Sequence, residues 1–224
     1  MELQELDVLI KEAVNDAVLH PSEIPAIDLY LDQITSLMSE KVKEGSPRFH
    51  DRVLTKTMIN NYSKDGLISP VKGKKYSRNQ ILQMLMVYEL KNTLSIGEIK
   101  RILQNVYALP DFEDSLLEQT YLRFLESKEH QREETPAFIH YFLEQHKLDV
   151  ENDADFFTLL LGLSCMSAYL KNAVQVLLES RYPDVDAEKQ KEEQLRKEEL
   201  KRQKEEKKAA KASKKEESEE NGAK

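Results

Sequence analysis

Between Arg52 and Val106, a span of 55 residues, the chain carries three helix caps (Thr55, Ser77, Ser95) and two turn glycines (Gly66, Gly73). A cap side chain accepts a hydrogen bond from an orphan N–H of the first helical turn. A glycine lets the backbone enter the left-handed region at little cost. Such close punctuation leaves room only for short helices, and helices under about 12–15 residues are marginal alone in water. They must bury their apolar faces on one another, so the span predicts a small helical unit with tight, defined turns.

The segments can be placed one by one. Thr55 caps a helix through Lys64, ended by Gly66. Met58, Ile59 and Tyr62 fall on its inner side, and its outer residues include no acid. After Leu67 and Ile68, the run SPVKGKKYS predicts a small hairpin, with Gly73 at the tip and Lys72, Lys74 and Lys75 around it. Ser77 caps a helix from Arg78 to about Leu94 that is apolar on most sides, hence central. Ser95 and Glu98 form a capping box for a helix to about Tyr107. Upstream, Ile27, Tyr30, Leu31, Ile34, Leu37, Met38 and Val42 make one stripe, which predicts a scaffold helix over 26–43. Gly45 is placed as its left-handed end, and Pro47 blocks continuation. Residues 45–54 are a connector bearing Arg48 and Arg52.

A polar helix, a turn, a basic hairpin and two packed helices in that order describe a winged helix-turn-helix, which points to double-stranded DNA. Asn can pair with the adenine edge, and Lys can reach guanine or phosphate. The expected contacts are Arg52, Lys56, Thr57, Asn60, Asn61 and Lys64 at the major groove and its rim. Lys72, Lys74 and Lys75 are expected on the flanking backbone.

The chain's net charge of −8, taken alone, opposes this. Its distribution removes the objection. Residues 45–110 hold 11 Lys+Arg against 4 Asp+Glu, net +7, between a first 44 residues at −7 and residues 111–183 at −8. Phosphate attraction is decided within a Debye length of about 8–10 Å, so a basic face can act on an acidic protein.

The stretch GLISPVKGKKYSRNQILQMLMVYELKNTLSIGEIKRIL resembles the winged helix-turn-helix of MerR-type transcriptional regulators. Tyr62, Gly66-Leu67-Ile68, Tyr76-Ser77 and Ser95-Ile96-Gly97-Glu98-Ile99 stand where that family has its recognition-helix Tyr, Gly-Leu-Leu turn, Tyr-Ser cap and Ser-Leu-x-Glu-Ile helix. With PAIDLYLDQITSLM ahead and an acidic helical half behind, the chain resembles a bacterial family catalogued as domain of unknown function 1836. The resemblance implies DNA binding and transcriptional control. Three departures stand out. Asn60-Asn61-Tyr62 replaces an Arg-Tyr-Tyr or Arg-Tyr-Trp triplet, the connector is longer than the family's tight turn, and no long dimer-forming helix follows Val106. Dimer geometry and promoter-twisting activation are not carried over.

The remaining segments frame this unit. Leu3, Leu6, Leu9, Ile10, Val14 and Val18 predict an amphipathic packing helix within 1–21. Residues 111–183 read as three helices, the second opened by Thr135-Pro136 as cap and first residue. The third, FFTLLLGLSCMSAYLKNAVQVLLES, has a 15-residue apolar core from Phe156 to Leu170. A spanning helix needs about 20, so it reads as a buried central helix, shared between subunits of a homodimer or lying within one chain. The tail over 184–224 is nearly all charged and Ala, with paired Glu and Arg/Lys on a solvated helix and then a composition of disorder.

No active site emerges. His140 and His146 do not share a helix face, which disfavours a metal site with Glu144. Cys165, in the most apolar helix, reads as an inert small hydrophobe, and as the lone cysteine it fits a reducing compartment. No nucleotide loop, cofactor motif or secretory signal is present. The expected protein is an all-α cytoplasmic regulator, a repressor and a homodimer, without enzymatic activity, cofactor, metal or membrane; any small-molecule effector is unspecified. The competing reading is a protein-interaction adaptor, in which acidic flanks cover the recognition helix and wing.

Overall fold

In the computed structural model, residues 2–71, 73–110 and 112–184 are described. The fold is mainly helical, with seven α-helices and one two-stranded sheet among these residues. Helix α1 (Leu3–Val14) precedes a one-turn 3-10 helix at Pro21–Glu23. Strand β1 (Leu29–Tyr30) runs directly into α2 (Leu31–Val42). A second 3-10 turn at Pro47–Phe49 leads to α3 (Lys56–Lys64), and β2 (Lys75–Tyr76) leads to α4 (Arg78–Leu90). Helices α5 (Ile96–Tyr107), α6 (Asp114–His146) and α7 (Asp153–Arg181) follow.

The main core joins every helix from α2 onward. Ile34, Ile59, Leu82, Met84, Val87 and Ile99 are essentially inaccessible at its centre, and Leu117, Tyr121 and Leu178 close it from the C-terminal half. Burying the Tyr121 ring requires a partner for its hydroxyl. That hydroxyl donates to the Leu19 carbonyl at 3.0 Å. A smaller core joins Leu6 and Ile10 of α1 to Ile139 and Leu143 of α6, to Val150, and to Leu159 of α7. The expected packing role of the first helix thus falls to Leu6 and Ile10, while Leu3 and Leu9 stay exposed and the helix ends at Val14, short of Val18 and the expected end near His20-Pro21. The tail expectations for 185–224 lie outside the described residues.

Local signals hold where the cap is self-contained. Thr55 accepts from the Met58 N–H at 3.3 Å, Ser77 from Gln80 N–H at 3.4 Å, and Ser95 from Glu98 N–H at 3.3 Å. Gly66 and Gly73 take φ of +72° and +81°. Four expectations fail for tertiary reasons. The scaffold helix starts at Leu31, not 26, because Leu29 and Tyr30 pair as a strand, leaving Ile27 in solvent. Gly45 is not left-handed; a Cβ there would lie 2.8 Å from both Ala17 N and Asn15 O, so the residue permits a close backbone approach instead. Helix α4 stops at Leu90, where Lys91–Thr93 turn the chain.

The fourth failure concerns Pro136, which lies inside α6 rather than opening a helix, so the first two helices expected after residue 111 are one. A mid-helix proline forfeits one backbone bond and crowds the preceding turn. Here that turn is held from outside: the Arg132 guanidinium donates to Val14 O at 2.9 Å and Asp16 O at 2.7 Å. Pro136→Ala is therefore expected to stabilise the chain by about 1–3 kcal/mol in urea unfolding, since the strain is removed while those bonds stay.

Helix α7 departs most from expectation. It is long and apolar enough to cross a membrane by length and composition, yet only 6% of its most apolar window is buried. Every residue from Ser164 to Val174 is exposed, Cys165 included. It is not a buried central helix of this chain.

Candidate nucleic-acid interface

The sequence of α3 sorts its residues into two faces. Ile59 and Tyr62 are buried and Met58 half-buried, fixing the helix on α2 and α4. Lys56, Thr57, Asn60, Asn61 and Lys64 then fall on the opposite stripe, and all five are exposed. Burial pushes the pKa of the Tyr62 hydroxyl up to about 12 and Tyr88 adds to it, so this ring stays neutral at the helix base. Lys91 adjoins the same base, with its ammonium 4.1 Å from the Tyr88 ring centroid and 3.8 Å from the Met58 sulfur. Desolvation holds its pKa below the usual lysine range.

The loop after α3 is not a self-paired hairpin. Leu67 and Ile68 plug into the core, and β2 pairs antiparallel with β1, Leu29 opposite Tyr76 and Tyr30 opposite Lys75. The first arm cannot supply a ladder. Pro70 lacks an N–H, and the groups beside it are already used. Gln83 accepts from Ser69 N at 2.8 Å and donates to Ser69 Oγ at 2.9 Å. Gln80 donates to Ser69 O at 3.1 Å and Pro70 O at 3.0 Å, and accepts from Ser77 N at 2.8 Å. Two buried glutamines thus anchor both ends of the basic loop on α4. Replacing Gln80 with Leu should leave three backbone groups unpaired and destabilise the fold by about 1–3 kcal/mol, with faster amide exchange at Ser77.

These anchors set the loop beside α3. Ser63 on α3 and Pro70, Val71, Gly73 and Lys74 on the loop line one open groove of about 370 Å³, floored by Leu31, Ile68 and Tyr76. Lys74 and Lys75 are exposed, and the Lys75 ammonium sits 4.9 Å from the Tyr30 ring centroid. Lys72 lies outside the described residues.

Two other expected contacts are placed differently. Lys56 forms an ion pair with Asp32 of α2. Both side chains are largely exposed, and such surface pairs are worth at most about 1 kcal/mol, so a phosphate can displace the carboxylate. The Arg52 guanidinium stacks 5.0 Å from the Phe49 ring centroid. It lines a separate cleft with Asp16 and Glu89, apart from the groove between α3 and the loop.

Sequence reasoning missed Asp32, Tyr30, Gln80 and Gln83. The glutamines had a signal: two amides three apart on a helix otherwise apolar must find partners when buried. Asp32 and Tyr30 had none, since they reach the site only through the β1–β2 pairing. Elsewhere among the described residues, no cluster of three or more His, Cys, Asp or Glu is arranged to hold a metal ion. His140 contacts Asp7 of α1 instead.

The groove, its anchoring glutamines and most of the main core fall within one recognised unit. Residues 19–124 match the family described as Domain of unknown function (DUF1836). The DUF1836 region therefore contains α3, the basic loop, both strands and the start of α6. No curated protein matches the chain, and no solved structure does.

Proposed function

We propose that this protein is a sequence-specific double-stranded DNA-binding transcriptional regulator, a repressor acting in the cytoplasm, with α3 in the major groove and the basic loop on the flanking backbone. The observation that carries the proposal is the exposed polar face of α3 beside exposed Lys74 and Lys75, with no described part of α6 or α7 laid over it. Asn60 and Asn61 have the donor and acceptor groups for an adenine edge, and Lys64 and Lys74 flank the groove as phosphate contacts. The succession of scaffold helix, α3, Gly66 turn, basic loop, capped α4 and capped α5 supports the MerR-like winged reading, with a wing tied to β1 in place of an independent hairpin.

Lys56, Thr57 and Lys64 complete the proposed α3 contacts. Arg52 is the weakest member of the set, because its cleft shares space with two carboxylates. The proposal is tested by gel shift of the purified full chain against pooled genomic fragments at low salt. Discrete, competitor-resistant complexes on a subset of fragments are expected. Absence of any complex at low salt would exclude DNA as the ligand.

A further inference from the structure

Helix α7 presents a surface that the DNA-binding reading does not use. Between Phe156 and Leu178 the sequence holds a single charged residue, Lys171. Nine large apolar side chains of this helix are 38–68% exposed, among them Phe157, Leu161, Tyr169 and Leu177. A helix apolar on most sides belongs in a core. Toward its start this one packs through Phe156, Leu159 and Leu163 on the smaller core and through Gly162 against the Phe142 ring, and toward its end Leu178 enters the main core and Gln175 donates to Glu98 at 3.0 Å. Between these points an open groove of about 470 Å³ separates α7 from α6, lined by Phe138, Leu163, Met166, Leu170 and Val174.

We infer that the covering partner is a second copy of this chain, packed α7 against α7 with the exposed Phe138 and Tyr141 of α6 at its border. Area favours this occupant. Fully burying an aliphatic side chain corresponds to roughly 60–120 Å² at about 25 cal/mol per Å². At 3.6 residues per turn, Met166, Tyr169, Leu170, Val174, Val176 and Leu177 share the side of α7 that faces the groove, and with Phe138 and Tyr141 they offer roughly 250–450 Å² of apolar surface per copy, or about 500–900 Å² for a symmetric pair. A stable interface buries about 1,200–2,000 Å² in total, about two-thirds apolar when the partners are identical, so this face and its α6 border reach the lower end of that range. Charge agrees, since a stripe without a carboxylate, its one charge Lys171, is where two copies of a chain of net −8 meet with least repulsion.

A bilayer fits less well. A span of about 20 residues drawn from Phe156–Leu178 would carry the Lys171 ammonium into the hydrocarbon, where a charge is costly. Entering a membrane would also pull Leu159 and Leu178 out of their cores. The inference stands apart from DNA binding, because neither α3 nor the basic loop takes part.

Sedimentation velocity of the full chain without DNA tests it. The wild-type chain is expected at twice its 26.0 kDa mass at tens of micromolar. The double variant Tyr169→Glu/Leu170→Glu places carboxylates at the seam and should raise the dimer dissociation constant by about a hundredfold or more. Both positions are exposed, so its thermal melting at concentrations where both chains are monomeric should match wild type. A wild-type monomer at these concentrations, a variant that dimerises as tightly as wild type, or a monomer that floats with neutral phosphatidylcholine vesicles would each overturn the inference.

Discussion

Lys64→Glu combined with Lys74→Glu is expected to abolish tight DNA binding while leaving the fold intact. Both residues are exposed, one on α3 and one on the loop beside it, and neither forms an ion pair among the described residues. Each phosphate interaction removed should reduce the slope of log K against log salt by about 0.9, and charge reversal adds repulsion on top. The double variant should therefore lower affinity for all duplexes by roughly a hundredfold or more at moderate salt and flatten the salt dependence by about 2–4 slope units. Fluorescence anisotropy across a salt series reads both quantities. An unchanged slope would mean that the groove does not meet phosphates.

The second large effect separates two adjacent residues of α3. Ile59 is fully buried and Asn60 exposed. Ile59→Ala removes packing from a core that cannot collapse freely, and should cost about 2–4 kcal/mol in urea unfolding. Asn60→Ala acts on an exposed side chain away from any cap and should change stability by under about 0.5 kcal/mol. In binding the order inverts. Asn60→Ala should cost about 1–3 kcal/mol on the preferred site and little on random duplex, because a base-edge contact carries sequence information and a phosphate contact does not. A weakening of equal size on every sequence would reassign Asn60 to the backbone.

These neighbours also indicate how far sequence alone reaches. The helical period within α3, the three caps and the two positive-φ glycines are encoded within a few residues, and each is legible. What depends on distant partners is not. Gly45 looks like a helix terminator in sequence, and only the approach of Asn15 and Ala17 reveals its actual role. Pro136 looks like a helix start until Arg132 is seen bonded to the carbonyls of Val14 and Asp16. The basic loop sits beside α3 as its sequence suggests. Its strand partner, however, is Leu29–Tyr30, which lies upstream of both α2 and α3, so no local pattern announces the pairing.

Helix α7 illustrates a different limit. Apolar composition states that a surface must be covered and is silent on what covers it. The expectation of a buried helix within one chain fails on the exposure of Ser164–Val174, and a helix shared between subunits is the alternative that accommodates that exposure. Likewise the acid-free outer face of α3 is legible, but Asp32 arrives from α2 and pairs with Lys56. The effective field at the N-terminal end of α3 is accordingly less positive than a count over residues 45–110 suggests.

Entry of α3 into the major groove is tested most directly by DNA cleavage from a tethered reagent. An iron chelate attached at Asn61→Cys, in a chain also carrying Cys165→Ser so that the label has one site, should cut DNA at a few adjacent positions centred on each bound half-site, in the pattern of a major-groove source. The same label at Glu133→Cys, exposed on the α1 side of α6, should cut nothing. Cleavage spread evenly along the duplex from position 61, or no cleavage on fragments the protein demonstrably binds, would contradict that placement of α3.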